Sequence, residues 1–261
     1  MKFEHKKSLG QNFLKDPNLL EALATDASIL PTDNVLEIGP GLGSLTWRLS
    51  AHANKVLAIE TDTRLEPTLR EKFNGKNVEF LFKDFMQVSF DEIEKILGKE
   101  YIVVANLPYY ITTPILFRFF CEPNGAKKIA IMVQKEVAER ICAKTNSKDY
   151  GILSVACSYF GKPKISRIVS KANFDPVPKV DSAFVVLPIE NKQNNQFLQF
   201  VRDCFSMRRK TLVNNLKDKY NKDMIIAAIE LVFKKETARA EEFSEEELEK
   251  VFEYLAKNNK K

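Results

Sequence analysis

Five short apolar runs set the strongest constraint on how this chain folds: Val35–Ile38, Val56–Ile59, Val78–Phe82, Tyr101–Ala105 and Ile129–Val133. Runs this short, and this rich in Val and Ile, read as buried strands. The helix-like stretches between them supply the crossovers of a mainly parallel sheet covered on both faces. Asp16 before Pro17 suits an N-cap followed by proline at the first helical position, and predicts a helix to about Ala27 that buries Leu19, Leu20 and Leu23. Ser44 opens a helical run after the first strand, and Gln134 to about Lys144 reads as another after the fifth. Two later β-rich runs, Ile165–Val169 and Ala183–Leu187, have no helix between them and predict an antiparallel pair at the sheet edge. The expected class is α/β.

From Ile189 to Gln196 the chain turns polar, and a domain boundary is expected there, with residues 1–190 before it and 191–261 after it. Beyond it, Phe197, Phe200, Val201, Cys204 and Phe205 recur at helical spacing. Ile225–Phe233 and Ser244–Leu255 read as further helices, the last opened by a capping box of Ser244 and Glu247. A small all-α C-terminal domain follows from this pattern.

Several classes of function drop out. No apolar run approaches the roughly 20 residues that span a bilayer, and the first twelve residues carry no apolar signal centre. A cytoplasmic protein without membrane association is therefore expected. Cys121, Cys142, Cys157 and Cys204 form no CxxC pair and read as reduced thiols rather than a zinc site. The only histidines are His5 and His52, which leaves little for a triad or a His-based metal centre. The net charge of +5 is unevenly spread. Pro123–Val180 holds 11 basic and 4 acidic residues, a local balance of +7, and the remainder is slightly acidic at −2. Arg208-Arg209-Lys210 and Lys2, Lys6 and Lys7 add two more basic clusters, and three together suggest a phosphate-backbone partner.

Ligands of open parallel sheets bind beyond the carboxyl ends of the strands. Four successive runs here end in Gly39-Pro40-Gly41-Leu42-Gly43, Glu60, Asp84 and Asn106. The glycines permit a sharp turn and close backbone approach to a ligand. Their spacing misses the dinucleotide fingerprint by one residue, and no Gly-Lys-Ser/Thr follows to make a P-loop. Glu60 can accept both hydroxyl hydrogens of a ribose, and Asp84 can accept from an adenine amino group. Together they describe a pocket for an adenosine-containing cofactor with no pyrophosphate.

Asn106-Leu107-Pro108-Tyr109 is the sharpest motif. An exocyclic adenine amine is a poor nucleophile because its lone pair is delocalised into the ring. An asparagine oxygen and a nearby backbone carbonyl can accept its two N–H bonds, hold them out of the ring plane and aim the lone pair at an electrophilic methyl. The proline stiffens the turn, and Tyr109 offers a face for an extruded base.

These motifs, with Leu9-Gly10-Gln11-Asn12-Phe13-Leu14, Phe174-Asp175-Pro176-Val177-Pro178-Lys179-Val180-Asp181-Ser182 and Phe205-Ser206-Met207-Arg208-Arg209-Lys210-Thr211-Leu212, resemble the ribosomal RNA adenine dimethyltransferases in order and over nearly the whole chain. The resemblance implies a class I methyltransferase sheet plus a helical C-terminal domain that binds RNA, and S-adenosylmethionine as cofactor. The implied reaction methylates N6 of two adjacent adenines in the 3′-terminal hairpin of 16S ribosomal RNA, in the small subunit or its precursor. By the same resemblance, Asn12, Leu14, Gly41 and Asn106 contact the cofactor, with Gly39 at its methionine side, Glu60 at the ribose and Asp84 at the adenine. Asn106 lies between cofactor and target, Tyr109 and Phe174 sandwich the base, and Leu107 and Pro108 complete the catalytic motif. The segment Arg208–Leu212 is expected as a helix, and the protein as a monomer. A 23S ribosomal RNA methyltransferase of the same family, a largely non-catalytic ribosome-assembly factor and a DNA adenine methyltransferase stay open; a nicotinamide oxidoreductase is disfavoured by the glycine spacing.

Overall fold

The computed structural model describes residues 12–190 and 193–258. The expectations for Lys2, His5, Lys6, Lys7 and Leu9-Gly10-Gln11 lie outside them.

Five parallel strands appear where the apolar runs predict them: β2 (Asn34–Ile38), β3 (Lys55–Glu60), β4 (Val78–Phe82), β5 (Tyr101–Asn106) and β6 (Ala126–Gln134), after a two-residue β1 (Phe13–Leu14). Then come β7 (Lys164–Val169), β8 (Phe174–Asp175) and β9 (Ser182–Pro188). The seven-stranded sheet runs β4-β3-β2-β5-β6-β9-β7, and β9 is antiparallel to both β6 and β7. Strand order therefore reverses between β2 and β5, which opens a crevice at their carboxyl ends. A separate two-stranded sheet pairs β1 with β8, Phe13 opposite Asp175 and Leu14 opposite Phe174.

The crossovers are α1 (Pro17–Asp26), α2 (Ser44–His52), α3 (Glu66–Lys72), α4 (Phe90–Leu97), α5 (Thr112–Cys121) and α6 (Lys135–Ile141). Asp16 caps α1 as expected, its carboxylate accepting from the Asn18 N–H at 2.9 Å. Val35, Leu36, Val56, Leu57, Val103 and Val104 are wholly buried, as strands covered on both faces require.

The remaining helices are α7 (Ile152–Phe160), α8 (Asn195–Cys204), α9 (Leu212–Leu216), α10 (Lys222–Glu230) and α11 (Glu245–Asn258). The Ser244 and Glu247 capping box closes on both sides, at 3.1 and 2.8 Å. The chain divides into two compact units, and the division differs from a single cut at 190. Residues to Ala138 plus Pro163–Glu190 form one, and Glu139–Lys162 joins the C-terminal helices in the other. The reason is packing: α7 lies against α8 and α11, the Tyr159 and Phe197 rings sit 4.6 Å apart, and the Tyr150 hydroxyl donates to the Phe243 carbonyl at 2.9 Å.

Arg208–Lys210 form a turn, and the helix starts only at Leu212. Thr211 is the N-cap of α9, its hydroxyl accepting from the Asn214 N–H at 3.2 Å. The Arg208 guanidinium donates to the carbonyls of Lys148 and Tyr150 and faces Glu241, so much of its capacity holds this unit together. Part of the basic excess elsewhere is likewise spent internally. Lys127 pairs with Asp33 at 2.6 Å, Lys128 caps the carbonyls of Ala27 and Ser28, and Arg167 grips Asp26. No helix among the described residues is long and apolar enough to cross a membrane.

Candidate functional site

A cavity of about 340 Å³ lies at the carboxyl ends of β2, β3, β4 and β5. It gathers Asn12, Leu14, Gly39, Gly41, Glu60, Asp84, Asn106, Leu107, Pro108 and Tyr109, that is, every predicted site residue except Phe174.

Its floor is the turn after β2. Gly39 has φ 72°, and a Cβ built there meets nothing within 4 Å, so the backbone faces open space. Gly41 has φ 56°, and a Cβ there would lie 2.4 Å from the Phe13 ring. Both positions call for glycine, Gly41 on two independent grounds. Glu60 braces this turn: its carboxylate accepts from the N–H of Gly41 at 3.0 Å and of Asp62 at 2.8 Å. Burial raises the Glu60 pKa, against the opposing pull of those two N–H groups. Asp84 caps the turn after β4, accepting from the Met86 N–H at 2.9 Å. It thus fills a structural post as well as a place on the wall. Arg118 of α5 holds the same turn from behind. Its buried guanidinium sits between the Phe85 and Phe90 rings, 4.9 and 4.7 Å from their centroids, and donates to the Phe85 and Val88 carbonyls.

Glu37, given no role from sequence, proves to be part of the site. It is fully buried at the end of β2, lines the cavity, and leaves Oε2 without a hydrogen-bond partner among the described residues. Burial pushes its pKa up to about 8; the Thr46 hydroxyl and Lys72 pull the other way. A buried, unpaired carboxylate costs several kcal/mol, which favours the neutral form of this group. The signal was one acidic residue inside the apolar run that leads into the glycines.

Towards the mouth the groups are neutral. The Asn106 amide nitrogen donates to the Asn12 carbonyl at 2.9 Å, which fixes the side chain and leaves Oδ1 as the acceptor. The Tyr109 hydroxyl shares a 2.8 Å hydrogen bond with Ser182, and its ring is half-buried. Burial raises its pKa against that bond. The turn is closed by Ile111 N–H donating to the Pro108 carbonyl at 3.1 Å. The structure does not bring Phe174 to the cavity beside Tyr109. Phe174 is fully buried in the apolar cluster that includes Leu14, Leu20 and Phe184, so it shows no face to the cavity. A phenyl ring gains more from covering by such a cluster than from exposure.

The sequence profile of the ribosomal RNA adenine dimethylases matches residues 2–257. The chain belongs to that family. As a ribosomal RNA adenine dimethylase it is a methyltransferase enzyme, and its sheet is the class I methyltransferase sheet. It is 42% identical over 256 residues to the ribosomal RNA small subunit methyltransferase A of Ligilactobacillus salivarius, covering 92% of this chain and 86% of the relative. It is 42% identical over 258 residues to the protein of that name from Clostridium botulinum strain Kyoto, covering 95% and 93%. Among solved structures it resembles a dimethyladenosine transferase from Plasmodium falciparum, with a TM-score of 0.81, 27% identity and 94% and 98% coverage. It also resembles the 23S rRNA methyltransferase ErmE, with a TM-score of 0.72, 28% identity and 94% and 99% coverage. The dimethylase family implies S-adenosylmethionine as methyl donor, and the cavity fits that molecule. It offers open space at Gly39, an unsatisfied buried acid for a cationic group, and carboxylates on the far wall for hydroxyl and amino hydrogens.

Proposed function

We propose that this dimethylase transfers methyl groups from S-adenosylmethionine to N6 of two adjacent adenines in the 3′-terminal hairpin of 16S ribosomal RNA. It acts as a cytoplasmic monomer during small-subunit biogenesis. The observation that carries this target is the 42% identity to two small-subunit methyltransferases over 92% and 95% of the chain, against 28% to the 23S enzyme.

When bound, the cofactor supplies a methyl group already activated by a sulfonium. The residues provide position and charge, which can carry the rate without a strong base. Gly39 and Gly41 let the backbone approach the methionine side, with Asn12 and Leu14 closing over it and Glu37 meeting its ammonium. Glu60 accepts from the ribose hydroxyls and Asp84 from the adenine amine. Asn106 Oδ1 and the Leu107 carbonyl accept the two N–H bonds of the target amine and free its lone pair. Pro108 keeps that turn rigid. Tyr109 stacks on the base, and Phe174 joins it from the other side when substrate draws it out of the core. The methylated amine is briefly cationic and strongly acidic, so its proton leaves to water.

The test incubates the protein with labelled S-adenosylmethionine and ribosomal subunits lacking dimethyladenine, then maps the modified nucleosides. Dimethyladenosine at two adjacent positions near the 3′ end of 16S RNA is expected. Label in 23S RNA instead would move the enzyme to the other target, and cofactor binding without transfer would leave a binding role.

A further inference from the structure

Tyr110 follows the base-stacking tyrosine and differs from it in every respect the structure records. It lines the same cavity yet is 64% exposed. It makes no hydrogen bond and no ring contact among the described residues. Its backbone is nevertheless held, in the turn closed by the Pro108 carbonyl and the Ile111 N–H, just before α5 begins at Thr112. Trp47 gives the contrast. It too is exposed, at 43%, but Lys76 sits 4.6 Å above its ring and Phe73 lies 5.9 Å away. The Tyr110 ring has no such cover.

A fixed, uncovered aromatic at the rim of a base-binding cavity is a stacking surface, since every nucleobase presents a π-face. Two consecutive tyrosines here divide the work, one turned in with its hydroxyl on Ser182, the other left outside. Single-stranded RNA poses the matching problem: one base enters the cavity, and its neighbour on the strand stays at the mouth.

We infer that Tyr110 is the stacking platform for the nucleobase adjacent to the target adenine, a substrate contact outside the catalytic motif. The inference rests on the RNA reading above and deepens it. It supplies affinity and register for the strand without touching the cofactor. Because stacking is tolerant of sequence, the contact accepts whichever base follows the one in the cavity on that side of the strand.

The test uses full-length protein and small subunits lacking dimethyladenine. Tyr110→Ala should raise KM for the subunit about five- to a hundredfold, the loss expected for one base stack. The turnover number and the cofactor affinity should not change, and Tyr110→Phe and Tyr110→Trp should keep near-normal KM. A second arm reconstitutes subunits from 16S RNA whose 3′ segment is a ligated synthetic oligonucleotide, abasic on one side or the other of a target adenine. Removing the neighbouring base should raise KM for the wild type and erase the difference between wild type and Tyr110→Ala. An unchanged KM in Tyr110→Ala, or a cofactor affinity that falls in step with it, would overturn the inference. Failure of the wild type itself to label small subunits would instead fell the reading beneath it, and the inference with it.

Discussion

The two halves of the cavity are built on opposite plans. The floor holds three carboxyl groups, those of Glu37, Glu60 and Asp84, on strand ends and in capped turns. Glu37 and Glu60 are almost wholly buried, and Arg118 braces the wall beside Asp84 through two carbonyls. The mouth, Asn106 to Tyr110, carries no charge; Leu107 is buried, but Asn106, Pro108 and Tyr109 are half-buried and Tyr110 is exposed, and Phe174 lies in the core. A small cationic cofactor can be met by a rigid site formed in advance. A base on a large RNA must be admitted and released, a task that an open, uncharged mouth suits. Rigidity and acidity belong to the floor, and neutrality and openness to the mouth.

Substitutions can break this contrast in graded steps. Asn106→Ala should lower turnover by about a thousandfold, as loss of one transition-state hydrogen-bonding group does, in a protein that stays folded and loses only the bond to the Asn12 carbonyl. A melting temperature that collapsed with activity would make Asn106 structural. Gly41→Val forces a branched residue into a left-handed turn against Phe13. It should cost on the order of 2–4 kcal/mol of stability, read by denaturant unfolding, and abolish cofactor binding. Glu60→Ala should weaken the cofactor by about 10- to 100-fold, the range for hydrogen bonds to a charged group; an unchanged titration would refute the ribose assignment.

Glu37 sets a pH dependence. Its carboxyl is neutral below about 8 in the free protein, and a bound ammonium favours the ionised form. Cofactor affinity should therefore rise with pH towards 8, by at most tenfold per unit, with proton release in calorimetry, and Glu37→Gln should flatten the profile. The free protein shows the opposite trend in stability. The unfolded carboxyl ionises near 4.5 and the folded one near 8, so stability falls as pH climbs between them. The smallest effect belongs to Asp84→Asn. Asparagine caps as well as aspartate, so only the adenine contact changes, and affinity should fall about fivefold, near 1 kcal/mol.

The floor was largely legible in sequence. Apolar runs locate β2 to β5, and the residues that end them, Gly39, Glu60, Asp84 and Asn106, meet in one cavity because parallel strands share one carboxyl edge. Glu37 escaped because a strand-length apolar run hides a single acid, and only the fold shows that Oε2 has no partner. Phe174 was named from sequence, as a ring on the target base, yet it lies in the core. On a two-residue strand, one step of register decides whether a ring faces cavity or core, and sequence does not set that step. The place of 139–162 and the work of Arg208 depend on partners tens of residues away, beyond the reach of local periodicity.

If the cofactor half stands ready without RNA and the base half does not, the two should separate in cofactor binding. Calorimetric titration of S-adenosylmethionine into RNA-free wild type, Glu60→Ala and Tyr109→Ala tests it directly. Glu60→Ala should lose affinity, while Tyr109→Ala should bind like the wild type and fail only in transfer to small subunits. Loss of cofactor binding in Tyr109→Ala, with full binding in Glu60→Ala, would contradict it.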